Sequence, residues 1–142
     1  EDISRSRALM LDELEQRGDY SLYELIEALV LPMASQLDNQ DGGRAFLKIH
    51  SQLMTTEAFT ELRSRRDQAD VVTRRLLDMA APFITSNDSD KVRARFVLAG
   101  CLLIHGLASF LAHSHDIERT AFLQTLVQGI VDLLAPPAEH PR

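Results

Sequence analysis

Phe96-Val-Leu-Ala-Gly-Cys-Leu-Leu-Ile-His-Gly-Leu-Ala-Ser-Phe-Leu-Ala112 carries no charged side chain, and its apolar residues go all the way round a helical wheel. A surface helix shows one apolar stripe, whereas a helix apolar on every face has to be buried on every face. Phe96, Gly100, Leu103, Leu107 and Phe110 form one stripe at helical spacing, and Leu98, Leu102, His105 and Ser109 form the opposite one. At ~1.5 Å per residue the run is roughly 25 Å long, short of the ~20 residues that a bilayer span needs. The charged Lys91, Arg93 and Arg95 flank one end only, and His105 sits inside the run. The expectation is a central helix with one face in its own subunit's core and the other against a second copy, and no membrane partner.

Composition points to a soluble domain spanning 1–142, since 142 residues can bury roughly two-thirds of the unfolded surface. The lone Cys101 lies in the apolar run, so it reads as a small core residue in a reducing, cytoplasmic setting. The start Glu-Asp-Ile-Ser-Arg-Ser-Arg lacks the basic start and apolar block of a signal peptide, and the missing initiator Met suggests a fragment or processed form. A net charge of −6 argues against nucleic-acid contact by this segment, because phosphate binding needs clustered Lys and Arg. Arg63, Arg65, Arg66, Arg74 and Arg75 come nearest to a cluster, and their spacing reads as a solvated helix face.

Moving out from the central run, every segment has helical period. Ala8, Leu11 and Leu14 share a face over residues 4–17, and Gly18-Asp19 ends it. Ser21-Leu-Tyr-Glu24 is a capping box that opens the stripe Leu22, Leu25, Ile26, Leu29, Met33 and Leu37. Pro32 falls inside that stripe, removes a backbone donor and predicts a kink near Leu29. After the polar loop 38–43, Phe46, Ile49, His50 and Leu53 line the next helix, which turns His50 inward. Thr55 or Thr56 then caps a stripe of Phe59, Leu62, Ala69, Val72, Leu76, Ala80 and Phe83 running to Ile84, with a possible break at 63–66. The loop 85–89 caps the central helix, which extends from about Asp90 to His113. A last helix spans about Ile117 to Ala135 and stops at Pro136-Pro137. No segment alternates with period two, so the fold class is all-α, a bundle of about six helices.

The last two helices offer more apolar surface than four modest amphipathic neighbours can cover, which implies a homodimer. Gly100, Gly106 and Gly129 lie in their interiors, where each glycine costs up to about 1 kcal/mol relative to alanine. Close approach of another helix is the expected compensation. Two such helices from each subunit would make a four-helix interface of two-fold symmetry, with Leu98, Leu102, His105, Ser109, Leu126, Ile130 and Leu133 at the contact.

Catalytic and metal chemistry find little to work with. His113-Ser-His115-Asp116 could offer two imidazoles and a carboxylate, but His residues two apart do not share a helix face and no further ligand follows. His50 and His105 lack a partner that sequence can identify. No nucleophile elbow, Cys/His pair or phosphate-binding Gly loop occurs. The expectation is no enzyme, no metal and no cofactor.

Leu-Asp-Glu-Leu-Glu-Gln-Arg-Gly at 11–18, the Ser-Leu-Tyr-Glu run ending at Pro32, Gly-Gly-Arg-Ala-Phe at 42–46, Val-Arg-Ala-Arg-Phe-Val-Leu-Ala-Gly at 92–100, Ile-His-Gly-Leu-Ala at 104–108 and Leu-Val-Gln-Gly-Ile-Val-Asp-Leu-Leu-Ala-Pro at 126–136 belong together as a pattern. It resembles the C-terminal domain of tetracycline-repressor (TetR) family transcriptional regulators. The resemblance spans nearly the whole chain through diffuse patterns of helical core residues. It implies a homodimer built on the last two helices, a ligand cavity among the preceding ones and an N-terminal helix-turn-helix head. That head is absent from the given sequence, so DNA contact would belong to a longer parent protein.

For the implied cavity, the inward-facing residues of the middle helices are Tyr23, Ile26, Val30, Phe46, Ile49, His50, Met54, Leu76, Met79 and Phe83. They are mainly apolar, with Tyr23 and His50 as orienting polar groups and Met54 and Met79 as adaptable ones, the make-up of a small-molecule pocket. The expected function is binding of a mainly apolar small-molecule effector that shifts operator affinity. A ligand-independent helical interaction module and a small all-α enzyme are the two alternatives.

Overall fold

The computed structural model describes residues 2–39, 42–53, 71–84, 86–113 and 116–136, and these are all-α: six α-helices, two short 3-10 turns and no strand. The helices are α1 (Asp2–Arg17), α2 (Leu22–Ala34), α3 (Gly43–Leu53), α4 (Val71–Ala80), α5 (Ser89–His113) and α6 (Arg119–Leu134). Thr55, Thr56, Phe59, Leu62 and Ala69 lie outside the described residues.

Local chemistry sets the boundaries. Gly18 ends α1 with φ +73°, a left-handed conformation that costs glycine little, and its N–H donates to the Leu14 carbonyl at 3.0 Å. Ser21 and Glu24 form the reciprocal capping box that opens α2. Asp88 caps α5 by accepting from the Asp90 and Lys91 amides. Glu118 caps α6 in the same way, through Thr120 and Ala121, so this helix begins at Arg119 rather than Ile117. Two expected stripes end earlier as α-helix than their periodicity implies. The chain tightens into a 3-10 turn at Ser35–Leu37, after Pro32, and again at Ala81–Phe83, which contains Pro82.

The core gathers Leu11 and Leu14 of α1, Leu22, Leu25, Ile26 and Val30 of α2, Leu47 of α3, Leu76 of α4, Leu103, Ile104 and Leu107 of α5, and Leu126, Val127, Ile130 and Leu134 of α6. On α3 the buried large hydrophobic residue is Leu47, fully covered, while Ile49 is 53% exposed. The inward face of this helix is therefore set one step away from the expected one. Helix α2 sits between α1 and α6, and α5 packs against both α3 and α6. Phe110 and Phe122 join α5 to α6 with ring centroids 4.8 Å apart.

Arginine side chains tie the helices together. Arg7, the one buried charged side chain among the described residues, reaches from α1 to α2 and donates to the Leu29 carbonyl from Nε at 3.2 Å and from a terminal nitrogen at 2.8 Å. Pro32 has no N–H to offer the Ala28 carbonyl, and Arg7 holds α2 at the residue next to that interruption. Past the end of α2, Arg119 donates to the Ala34 carbonyl and to Asp38, and Arg44 donates to the Leu37 carbonyl. Positive groups on the last carbonyls of a helix also complement its dipole. Arg75 of α4 pairs with Asp12 and Glu15 of α1 at 2.8 and 3.0 Å.

Candidate functional site

Helix α5 has two faces of opposite character. Ala99, Leu103, Ile104 and Leu107 point into the subunit and are at most 4% exposed. Phe96, Gly100 and Phe110 flank that face half-buried. The outer face carries Val97, Leu98 and Leu102, exposed by 56, 53 and 39%, followed by the exposed His105 and Ser109. Four of the residues expected at a dimer contact, Leu98, Leu102, His105 and Ser109, therefore share one uncovered surface. Leu133 on α6 is half-buried. Leu126 and Ile130 lie elsewhere: they are 5% and 0% exposed because they fill the seam between α6 and the rest of the chain.

Gly106 serves an approach inside the chain. A Cβ at Gly106 would stand 3.1 Å from Leu126 Cδ1, and a Cβ at Gly129 would stand 3.6 Å from Leu102 Cδ2. Helices α5 and α6 thus approach each other closely at Gly106, whereas a Cβ at Gly129 would fit at ordinary contact distance. At 25 residues, α5 is also long and apolar enough to cross a membrane by length and composition, with 28% of its apolar window buried in the chain. The continuous helix is longer than its uncharged run because Ser89 to Arg95 extend it on the charged side.

The residues expected around a cavity divide into three groups. Ile26, Val30 and Leu76 are no more than 2% exposed and belong to the core itself. Tyr23, Phe46, Met79 and Phe83 are partly buried and pack against that core. His50 is half-buried beside Phe46, with ring centroids 5.2 Å apart, and Ile49 points outward. Met54 lies outside the described residues.

A separate open groove of about 470 Å³ lies between α1 and α4, lined by Glu15, Tyr20, Val71, Arg74, Arg75, Asp78, Met79 and Pro82. Of the expected cavity residues it includes Met79 alone, although its Tyr20 stacks obliquely on Phe83 at 6.2 Å. Arg75 in its wall is held further above the usual guanidinium range by hydrogen bonds to Glu15 and then Asp12. The sequence offered no sign of this groove, because Glu15 and Asp78 stand on the polar faces of helices that meet only in the folded chain.

No group of three or more His, Cys, Asp or Glu side chains is placed to hold a metal ion among the described residues. His113 and Asp116 are exposed at the end of α5 and in the turn after it, and His115 lies outside the described residues. No family model, curated protein or solved structure matches the chain.

Proposed function

We propose that this chain is the effector-binding and dimerisation domain of a one-component bacterial transcriptional regulator of the TetR class, acting as a repressor in the cytoplasm. The observation that carries the reading is the two-sided α5, with its inner face buried and Val97, Leu98 and Leu102 standing uncovered on the outer one. A second copy laid on that surface would bury the exposed apolar side chains on both subunits at once, as two-fold symmetry requires. The all-α architecture and the sequence pattern are consistent with this class.

In such a regulator a dimer holds two recognition helices at a spacing matched to successive major grooves, and those helices would belong to a longer protein. An effector changes operator affinity only if it binds one arrangement of the dimer better than the other. Coupling of about 1–3 kcal/mol gives a five- to hundredfold change. Helix α1 is the element through which that coupling would pass. It is fastened on two sides, to α2 through Arg7 and to α4 through Arg75, so movement of either helix is transmitted to it. The effector would be mainly apolar, in keeping with Tyr23, Phe46, Met79 and Phe83 around the core.

The test is Leu102→Glu. Analytical ultracentrifugation of the native protein should give a dimer, and the variant should sediment as a folded monomer. A variant as dimeric as the native protein removes the α5 face from the proposal.

A further inference from the structure

The outer surface of the α5–α6 pair is nearly free of charge. Gly106 faces Leu126, Leu102 lies over Gly129 and Phe110 meets Phe122, so the two helices run antiparallel with residues 100–112 alongside 120–131. Neither stretch contains Asp, Glu, Lys or Arg. The ionisable side chains left there are Cys101, half-buried, and His105, exposed on the face that carries Leu98 and Leu102. His105 makes no hydrogen bond or ion pair among the described residues.

Charged groups stand around this surface but not on it. On α5 the nearest are Arg95 and His113, about 15 and about 12 Å from His105 along the axis at ~1.5 Å per residue. On α6, Arg119 and Asp132 bracket the uncharged stretch; Arg119 donates to Asp38 and to the Ala34 carbonyl, and Asp132 accepts from Gln128. On α3, the other helix packed against α5, Arg44 donates to the Leu37 carbonyl, Lys48 is exposed and His50 lies beside Phe46. A proton taken up by His105 therefore finds no carboxylate among these groups to offset it.

We propose that acid releases the dimer through His105, an inference that rests on the two-copy reading of the α5 face. A second copy laid on Leu98 and Leu102 covers His105 on both chains. That copy presents the same face, and so brings no carboxylate between Phe96 and Ala112 either. A neutral imidazole tolerates such a contact. A protonated one loses its water without gaining an anion, and the two copies then carry like charges into one interface. The dimer accordingly holds fewer protons than two separate chains, so association weakens as pH falls. Imidazole is the side chain suited to this between pH 5 and 8, since thiols ordinarily titrate at about 8.5 and carboxylates at about 4.

The experiment is sedimentation velocity over a concentration series at about pH 8 and about pH 5.5 in ~0.15 M salt, which screens distant charges. The dimer dissociation constant of the native chain should rise about hundredfold in acid, the limit for two imidazoles of reference pKa ~6.5 that must both be neutral in the dimer. His105→Gln and His105→Leu, each read as the ratio of its own two constants, should change less than about threefold. His50→Gln, and a triple variant of His113→Gln, His115→Gln and His140→Gln, leave His105 in place and should keep the full effect. Three results would overturn the inference while the two-copy reading stands: a dimer with one constant at both pH values, a dimer that tightens in acid as a carboxylate on His105 would make it, or a pH effect that persists in both His105 variants. A chain that is monomeric at both pH values would overturn that reading and the inference with it.

Discussion

Replacing Arg7 by Ala tests the link between α1 and the proline-containing α2. The side chain is 7% exposed, and two of its N–H groups converge on the Leu29 carbonyl at 3.2 and 2.8 Å. Hydrogen bonds from a charged donor contribute about 1.5–3 kcal/mol, and truncation also removes the packing of a buried aliphatic stem. Against that, a desolvated charge disappears, which returns part of the loss. The net expectation is a destabilisation of about 2–3 kcal/mol, or roughly 6–12 °C in Tm for a chain of this length. Urea unfolding followed by circular dichroism reads it, with protein concentration held constant because association would shift the midpoint. Arg7→Lys should fall between the two, since one ammonium can still reach the carbonyl but cannot present the guanidinium fork. Arg5→Ala, on the exposed side of the same helix, should leave the midpoint in place. If Arg7→Ala unfolds at the same urea concentration as Arg5→Ala, the clasp contributes nothing and α1 is not fixed through α2.

Gly129→Ala should stabilise the chain by about 0.5–1 kcal/mol, because the new methyl meets Leu102 Cδ2 at an ordinary 3.6 Å while the glycine penalty within α6 is removed. A lowered melting temperature would show that the space over Gly129 is filled by something the chain itself does not supply. Acid titration should separate two carboxylates. Asp38 is held below its ordinary 3.8 by its hydrogen bond from Arg119, and Glu24 below 4.5 by Arg17 and then the Ser21 amide. A depressed folded-state value means stability that is present above the ordinary value and lost as pH falls through the lowered one. Asp38→Asn and Glu24→Gln should therefore each flatten the acid limb of the stability profile below about pH 5, and an unchanged limb in both would remove these pairs from the account.

Much of the fold was legible because it depends on short-range chemistry. Gly18, the Ser21–Glu24 box and the Asp88 cap act within one turn, and periodicity located Leu11, Leu14, Leu25 and Leu103 on buried faces. Long-range partners were not legible. Arg7 reads as one more solvated cation between Ser6 and Ala8 until α2 brings the Leu29 carbonyl to it. Leu126 and Ile130 lie on the same broad apolar arc as Leu133, and periodicity cannot say which part of a wide arc meets the chain's own core. The same ambiguity exchanged Leu47 for Ile49 on α3, where two neighbouring stripes were both apolar enough to face inward. The groove between α1 and α4 combines polar faces from residues about 60 positions apart, as the Glu15–Arg75 hydrogen bond illustrates, and no local pattern announces it.

The central claim is that the outer face of α5 is covered by a second copy of the chain. A native mass spectrum of the purified protein under gentle conditions tests it most directly, since assembly and any retained small molecule are read together. The account predicts a dimer at about twice 15.9 kDa, collapsing to the single-chain mass in Leu102→Glu. A native protein that stays at the single-chain mass across the accessible concentration range would contradict it.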